Sequence, residues 1–380
     1  MPLAPHVRLA LSQTAAPFTE AAPLPRDVLT DPAFFAMDRD LFATSWIPVA
    51  HESELARPGQ FVAAEIAGER VLVVRGADLE VRAFLDRCLH RGTPLTSGES
   101  GLLPTLELVC PYHGLRYDLG GKVEPRTGRA LGLAAGAHLP RVRTALLGRF
   151  VLACLSPDSP PCAEQMGPVP PWLLRAGLHT LRLGRRRVHE VAASWKLLVE
   201  NFQESHHFPH VHPHLEALTP YSNSTSLSFG GRWLGGTMEI EGGAGTVSDD
   251  GDLAGRPVVA HPEDLGRVFD ALLFPAWLTS LQPDYLLSYR LVPRAPDHTT
   301  VIADIFFHEA ARATGSTPES VYSFWDRTNA EDRAICERQQ RGVSTPSFVP
   351  GPYAPGEDGQ HAFDRLLARW YLARDRETPP

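Results

Sequence analysis

The stretch Glu200-Asn201-Phe202-Gln203-Glu204-Ser205-His206-His207-Phe208-Pro209-His210-Val211-His212 concentrates carboxylates and imidazoles where a helix should run into a proline. Taken as a helix from about Ala193, at ~100° per residue, it sets Glu200, Glu204 and His207 in one narrow stripe. Trp195, Val199, Phe202 and His206 then fall on the opposite, apolar side. Pro209 lacks an N–H and biases Phe208 away from helical dihedrals, so the helix should stop there and leave His212 on a loop. One helical histidine and one loop histidine, His207 and His212, can converge on a metal. His206, His210 and His214 read as surface or packing histidines.

A chain of 380 residues is long for one core, so two domains are expected. The net charge of −8 argues against a nucleic-acid surface, and Arg185-Arg186-Arg187 reads as a solvated strand end. Met1 to Pro25 has no apolar run long enough for a signal peptide, and nothing later approaches a membrane span, so a cytoplasmic location is expected. Five cysteines in a reducing compartment do not suggest a disulfide framework, and any paired spacing is weighed as metal-binding.

Before the central stretch, residues 31–46 read as an amphipathic helix capped by Asp31, with Pro32 at its first position and Phe34, Phe35, Met37, Leu41, Phe42 and Trp46 as apolar contacts. From Gly59 the pattern changes to short β runs, Phe61 to Ile66, Val71 to Arg75 and Val81 to Leu85, separated by turn residues. Two loops follow, Arg87-Cys88-Leu89-His90-Arg91-Gly92 and Val109-Cys110-Pro111-Tyr112-His113-Gly114, with a hairpin signal at Gly120-Gly121. Each loop offers one thiol and one imidazole. A Rieske-type [2Fe–2S] cluster needs two thiolates on one iron and two imidazoles on the other, which Cys88, Cys110, His90 and His113 supply. A tetrahedral zinc site could use the same four ligands, although zinc sites usually pair CxxC with HxxxH. Cys154, Cys162 and Cys336 lack such partners and are expected to be buried thiols.

The proline-rich segment from Ser156 to Trp172 reads as a linker. Beyond it, Leu181 to Val191, Leu227 to Ile240, Trp277 to Val292 and Thr300 to His308 alternate as strands of an antiparallel sheet. The Gly- and Asp-rich stretch Glu241 to Arg256 is expected to be a mobile loop, either a lid or a surface insertion. The last clear helix should start at Ser316-Thr317-Pro318-Glu319 and run to about Arg341, with Val321, Trp325, Thr328, Ile335 and Cys336 on its apolar stripe. Asp332 sits within that stripe, while Asp326, Glu331 and Glu337 point elsewhere. A carboxylate on a buried face is costly unless paired or bound to metal, which makes Asp332 the natural third ligand beside His207 and His212. Two histidines and one carboxylate are the facial triad of non-haem Fe(II) oxygenases.

Through Cys88-x-His90, Cys110-x2-His113-Gly114, the run from Trp195-Lys196 through Glu200-Asn201 to His207-x4-His212, and Glu331-Asp332, the chain resembles the oxygenase (alpha) subunits of the Rieske non-haem iron oxygenases. The resemblance implies that Glu204 bridges, across a subunit boundary, from the Rieske residue His113 of a neighbouring protomer to His207. Glu at this position, with Trp325-Asp326-x-Thr328-Asn329-x-x-Asp332, resembles the branch acting on glycine betaine, choline, carnitine and stachydrine. The chain departs from the family pattern at Leu115, where tryptophan is common, and at His206, where that branch has tyrosine. The resemblance further implies electrons from NAD(P)H through a flavin/iron–sulfur reductase or ferredoxin, O2 as co-substrate, and hydroxylation of a C–H bond; hydroxylation of an N-methyl group would release formaldehyde. Asn201, beside Glu200 on the helix, is expected either to hydrogen-bond near the electron path or to be solvated or capping.

The implied architecture is α+β. An N-terminal helical segment (1–44) packs on the catalytic domain, followed by an antiparallel β Rieske domain (45–155), the linker (156–172) and a helix-grip (START-like) catalytic domain (173–380) with a curved antiparallel sheet. The implied assembly is a head-to-tail homotrimer. Three functions remain in play: a monooxygenase for a small amine or quaternary ammonium substrate, the same chemistry on an aromatic or secondary-metabolite scaffold, and a Rieske electron carrier. Phe202, Phe208, Trp233, Trp277, Tyr285 and Tyr289 are candidates by type for an aromatic cage around a cation.

Overall fold

The computed structural model describes residues 3–259, 261–310 and 318–377. They divide into two compact units, Met1–Asp38 with Met166–Pro380, and Arg39–Gln165. Helix α1 (Pro5–Thr14) and helix α2 (Pro32–Thr44) come first. Asp31 caps α2, its Oδ1 accepting from the Ala33 N–H at 2.8 Å, and Pro32 occupies the first position, where a missing N–H costs nothing.

The smaller unit is antiparallel β. Its strands are β1 (Ile47–His51), β2 (Gln60–Ile66), β3 (Glu69–Arg75), β4 (Val81–Leu85), β5 (Ser100–Leu102), β6 (Glu107–Val109), β7 (Arg116–Asp118), β8 (Arg141–Leu147) and β9 (Phe150–Cys154). Seven of them form one sheet in the order β1-β9-β8-β4-β3-β2-β5, and β6 pairs with β7. The β2–β3 turn is the Ala67-Gly68 pair, both at positive φ (52° and 82°), the twist that joins hairpin strands most readily. Leu72, Val74, Phe84, Leu108, Leu115 and Tyr117 fill the core, so the leucine after His113-Gly114 is a packing residue.

The larger unit is built on a second antiparallel sheet, β10 (Leu181–Val191), β11 (Thr225–Ser228), β12 (Trp233–Glu239), β13 (Arg267–Leu273), β14 (Trp277–Leu281), β15 (Tyr285–Ala295) and β16 (His298–His308), in the order β10-β16-β15-β14-β13-β12-β11. Leu227 to Ile240, expected as one strand, is a hairpin. Gly230 and Gly231 turn it at φ 75° and 61°, and a Cβ on Gly231 would lie 2.6 Å from the Met166 carbonyl oxygen. Trp277 to Val292 likewise splits into β14 and β15 around residues 282–284. Strand β13 was not anticipated. Arg185-Arg186-Arg187 is not a solvated end but lies inside β10, with Arg185 on Asp326 (2.6 Å) and Arg186 on Asp304 (2.6 Å).

The further helices of this unit include α3 (Trp195–Phe202), α4 (Phe208–Val211), α5 (Glu319–Val343) and α6 (Asp358–Glu377). Ser316 and Thr317, expected to cap α5, lie outside the described residues. Helix α1 is tied to α6, because the Leu3 N–H donates to Asp375 Oδ1 at 2.7 Å and Arg8 Nε meets the same carboxylate at 2.7 Å. Under α3, Lys196 is buried with Nζ 2.5 Å from Asp38 Oδ2 and 2.9 Å from the Val28 carbonyl. Trp195 Nε1 and the Tyr371 hydroxyl also donate to Asp38. A buried charge pair survives only with its remaining valences satisfied in this way.

The stretch Glu241 to Arg256 is not a free insertion. Thr246, Val247 and Ser248 are buried. The Tyr285 hydroxyl donates to the Val247 carbonyl, Asp249 pairs with Arg327 at 2.8 Å, and the Ala254 N–H donates to Asp284 at 2.6 Å. Cys154, Cys162 and Cys336 are buried free thiols.

Candidate functional site

The expected single helix from Ala193 to Phe208 is not formed. Helix α3 stops at Phe202, and the N–H of Gln203 is shared between the Val199 and Glu200 carbonyls. The Glu204 carboxylate then takes over the role of a cap: Oε2 accepts from the His206 N–H at 2.5 Å and Oε1 lies 2.6 Å from His207 Nδ1. A side chain that satisfies backbone N–H groups locally competes with helix continuation. Pro209 accordingly sits in the first turn of α4 instead of ending a helix. Glu200, expected in one stripe with Glu204 and His207, is instead buried against Asp364 of α6; burial and that second carboxyl raise its pKa well above the ordinary range. The Tyr353 hydroxyl donates to Asp364 Oδ2 at 2.7 Å, and burial pushes this carboxyl up as well.

His207, His212 and Asp332 come together, each offering one ligand atom within 4.8 Å of the others. His207 turns Nδ1 to Glu204, which leaves Nε2 facing Asp332 Oδ1 at 3.6 Å. The second imidazole repeats the pattern: His212 Nδ1 lies 2.7 Å from Glu331 Oε2, and Nε2 is 2.8 Å from Asp332 Oδ1. A histidine whose Nδ1–H is held by a carboxylate presents the Nε2 lone pair, the tautomer a metal requires. Glu331, expected to point elsewhere, is therefore part of the site. Burial pulls the His207 imidazole down, but the hydrogen bonds and charges of Asp332 and Glu204 outweigh it and hold the pKa at about 9. Burial pushes Asp332 up, yet the two imidazoles keep it below the usual carboxylate range. The pocket thus attracts positive charge, and its two nitrogens and one carboxylate fit Fe(II).

Asn201 Nδ2 lies 3.4 Å from His207 Nε2. His206 does not join the cluster; its ring packs 5.6 Å from that of Tyr221. The three donors open onto a cavity of about 170 Å³ against the sheet. Among the cage candidates, Phe202, Phe208 and Tyr289 line it, and Trp325 joins them. Trp233, Trp277 and Tyr285 are buried core residues outside its lining.

In the smaller unit, the two Cys/His loops are built alike. The Gly92 N–H donates to the Cys88 carbonyl and the Gly114 N–H to the Cys110 carbonyl, at 2.9 and 3.0 Å. Both glycines are at positive φ (73° and 70°), which explains glycine at these two positions. Cys88 and Cys110 are buried, His90 is half-buried and His113 exposed. The Nδ1 atoms of the two imidazoles face each other at 3.2 Å. Two inner thiols and two outer imidazoles suit a cluster with chemically distinct irons. Burial pushes the Cys88 thiol up and the Tyr117 hydrogen bond draws it down, so bound metal is what would stabilise its thiolate.

Both units match known protein families. Residues 178–373 match the model of the ring hydroxylating alpha subunit (catalytic domain), and residues 45–131 match the Rieske [2Fe–2S] domain. The chain is 26% identical over 366 residues to the glycine betaine monooxygenase oxygenase subunit of Chromohalobacter salexigens, covering 87% of this chain and 81% of the relative. It is 34% identical over 202 residues to the carnitine monooxygenase oxygenase subunit of Escherichia coli, about half of each chain (51% and 53%). Among solved structures, the quaternary ammonium Rieske monooxygenase CntA superposes with a TM-score of 0.79 at 21% identity, covering 97% of this chain and 99% of that one. Naphthalene 1,2-dioxygenase from Rhodococcus sp. gives 0.80 at 19% identity, covering 99% and 100%.

The chain belongs to the ring-hydroxylating oxygenase alpha subunits, with a Rieske domain and an α+β catalytic domain. It is an oxidoreductase whose cofactors are a Rieske [2Fe–2S] cluster and a mononuclear iron, in a family that draws its electrons from a reductase and forms oligomers. Among the described residues, no helix is long and apolar enough to cross a membrane.

Proposed function

We propose that this oxygenase hydroxylates an N-methyl group of a small amine or quaternary ammonium compound and thereby demethylates it. His207, His212 and Asp332 would hold the iron, and Cys88, His90, Cys110 and His113 the cluster. When bound, the two groups supply O2 activation and the electrons for it. Glu204 holds His207 Nδ1 and, with Asn201, borders the route by which electrons arrive; in a homotrimer, Glu204 would meet His113 of the neighbouring protomer. The aromatic side of the cavity, Phe202, Phe208, Tyr289 and Trp325, excludes water and offers ring faces to a cation. One O2, two electrons and two protons convert a C–H of the methyl group to C–OH with release of water, and the resulting hydroxymethyl amine then loses formaldehyde. The observation carrying this reading is the triad His207/His212/Asp332 opening onto that aromatic cavity, and the named relatives acting on glycine betaine and carnitine support the substrate class.

The test is iron and acid-labile sulfide per chain on anaerobically purified protein, alongside Asp332→Ala, followed by formaldehyde assay with glycine betaine, carnitine, choline and tertiary methylamines. Near three irons and two sulfides, falling to two irons in the variant with sulfide unchanged, and formaldehyde from at least one substrate, is the expected result. Two irons in both proteins after Fe(II) loading would overturn the ligand assignment. A full iron complement with no formaldehyde from any methylated amine would overturn the substrate class.

A further inference from the structure

A single carboxylate stands on the sheet floor of the cavity without a counter-charge. Strand register sets Gly236, Asp270, Ser280 and Leu287 directly opposite one another on β12, β13, β14 and β15, and all four line the cavity. Because side chains alternate along a strand, Gln282, two residues beyond Ser280, reaches the same face. Gln282 is fully buried, and its Nε2 donates to Ser280 Oγ at 2.9 Å. The Ser280 hydroxyl donates in turn to Asp270. One hydroxyl proton and one amide N–H are thereby used up in a chain that ends on the carboxylate.

What remains unpaired on these two cavity-lining residues is acceptors. Asp270 Oδ1 and Gln282 Oε1 have no hydrogen-bond partner among the described residues. Among the described residues, burial and the Ser280 hydroxyl are what act on the Asp270 carboxyl, and no basic side chain is paired with it. Leaving a buried carboxylate oxygen unpaired is expensive, and burial accordingly pushes the Asp270 carboxyl up to about 7. A cationic ligand would remove that cost, whereas an anion or an apolar ring would add to it. Tyr289 connects this floor to the metal end: its hydroxyl, 3.0 Å from Asn329 Oδ1, sits in the field of both Asp270 and Asp332.

We infer that Asp270, oriented by Ser280 and Gln282, is the counter-ion that receives the positively charged nitrogen of the substrate. The inference rests on the amine reading above and narrows it. The substrate carries a permanent or protonated ammonium, and charge, not only aromatic contact, selects it. The aromatic residues would surround the methyl groups while the carboxylate fixes which side of the nitrogen faces the floor. Asp270 is thus a specificity residue, separate from the three metal donors.

Calorimetric titration separates charge from shape. Cluster- and iron-loaded protein is titrated with choline and with 3,3-dimethylbutan-1-ol, which replaces the charged nitrogen by carbon at nearly equal size. Asp270→Asn should weaken choline at least tenfold and leave the neutral alcohol within about twofold. Equal weakening of both probes would mean a structural role, and no weakening of either would mean no role; each overturns the assignment while leaving the amine reading intact. Ser280→Ala, which removes only the orienting hydroxyl, should shift choline in the same direction by a smaller factor, and it decides the matter if Asp270→Asn loses its circular dichroism or its sulfide. Wild-type protein that binds none of choline, glycine betaine and tetramethylammonium would bring down the amine reading and the Asp270 assignment together.

Discussion

His212 Nδ1 stands 2.7 Å from Glu331 Oε2 while the other nitrogen of the same ring meets Asp332, the next residue along α5, at 2.8 Å. Adjacent side chains of one helix therefore grip both ends of one imidazole. If Asp332 ligates the iron, Glu331 fixes the tautomer and raises the basicity of the nitrogen that does so. Glu331→Gln keeps the shape and removes the charge. Fe(II) affinity, measured by competition with a chelator, should fall by roughly 10- to 100-fold, with acid-labile sulfide unchanged. An unaltered Fe(II) affinity would show that the Glu331 contact does not tune the ligand.

In the smaller unit, the Tyr117 hydroxyl lies 3.3 Å from Cys88 Sγ and accepts from the Leu89 N–H at 2.9 Å. Burial first, and the neighbouring Cys88, raise its pKa, so it stays protonated and donates to sulfur. Hydrogen bonds to cluster sulfurs favour the reduced state. Tyr117→Phe should lower the midpoint potential by roughly 40 mV, the equivalent of about 1 kcal/mol for one electron. Protein-film voltammetry would read it, and a rise in potential would contradict this role.

Lys196 and Asp38 are each almost fully buried, with side-chain exposures of 3% and 2%. Burial lowers the Lys196 pKa and Asp38 opposes that shift. Lys196→Met strands the Asp38 carboxylate and should cost about 3–5 kcal/mol in urea unfolding. The double variant with Asp38→Asn should recover part of the loss. A double variant as unstable as the sum of the two singles would show that the pair is not coupled.

Asp284 supplies a pH signature of its own. Burial pushes its carboxyl up to about 6, against the pull of the Thr246 hydroxyl and the Ala254 and Gly255 N–H groups. Between about pH 4 and 6 the folded chain holds a proton that the unfolded chain has released, so stability falls as pH rises through that window and levels off above it. Relative to Asp284→Asn, wild type should lose about 2 kcal/mol between pH 4 and pH 7. A stability difference that stays constant across this range would contradict the shifted carboxyl.

The candidate metal donors stand out in the sequence because they are chemically scarce: thiol and imidazole pairs on two β loops, and histidines bracketing a proline, have few other uses. Less visible was anything depending on how a side chain spends its hydrogen bonds. Helical periodicity continued through Glu204, but that carboxylate caps the following turn and ends α3 at Phe202. A helical wheel placed Glu331 away from Asp332, since it records the direction of a Cα–Cβ bond and not the reach of three further bonds. Strand β13 hides in the apolar run Val268-Phe269-Asp270-Ala271-Leu272-Leu273, where one carboxylate amid hydrophobic residues was the available clue. Helix α6 carried a readable repeat, Phe363, Leu367 and Tyr371 at intervals of four, each of them fully buried.

The tie between α1 and α6 has a consequence in time. Leu3 is separated by 372 positions from Asp375, whose carboxylate holds its N–H. At about 5–20 residues per second, a ribosome delivers that partner roughly 20 to 75 s after Leu3 itself. Residues 39–165, whose strands pair only with one another, are complete long before then. The cluster-bearing unit can therefore close around its thiols on the nascent chain while the first helix still waits for the last one.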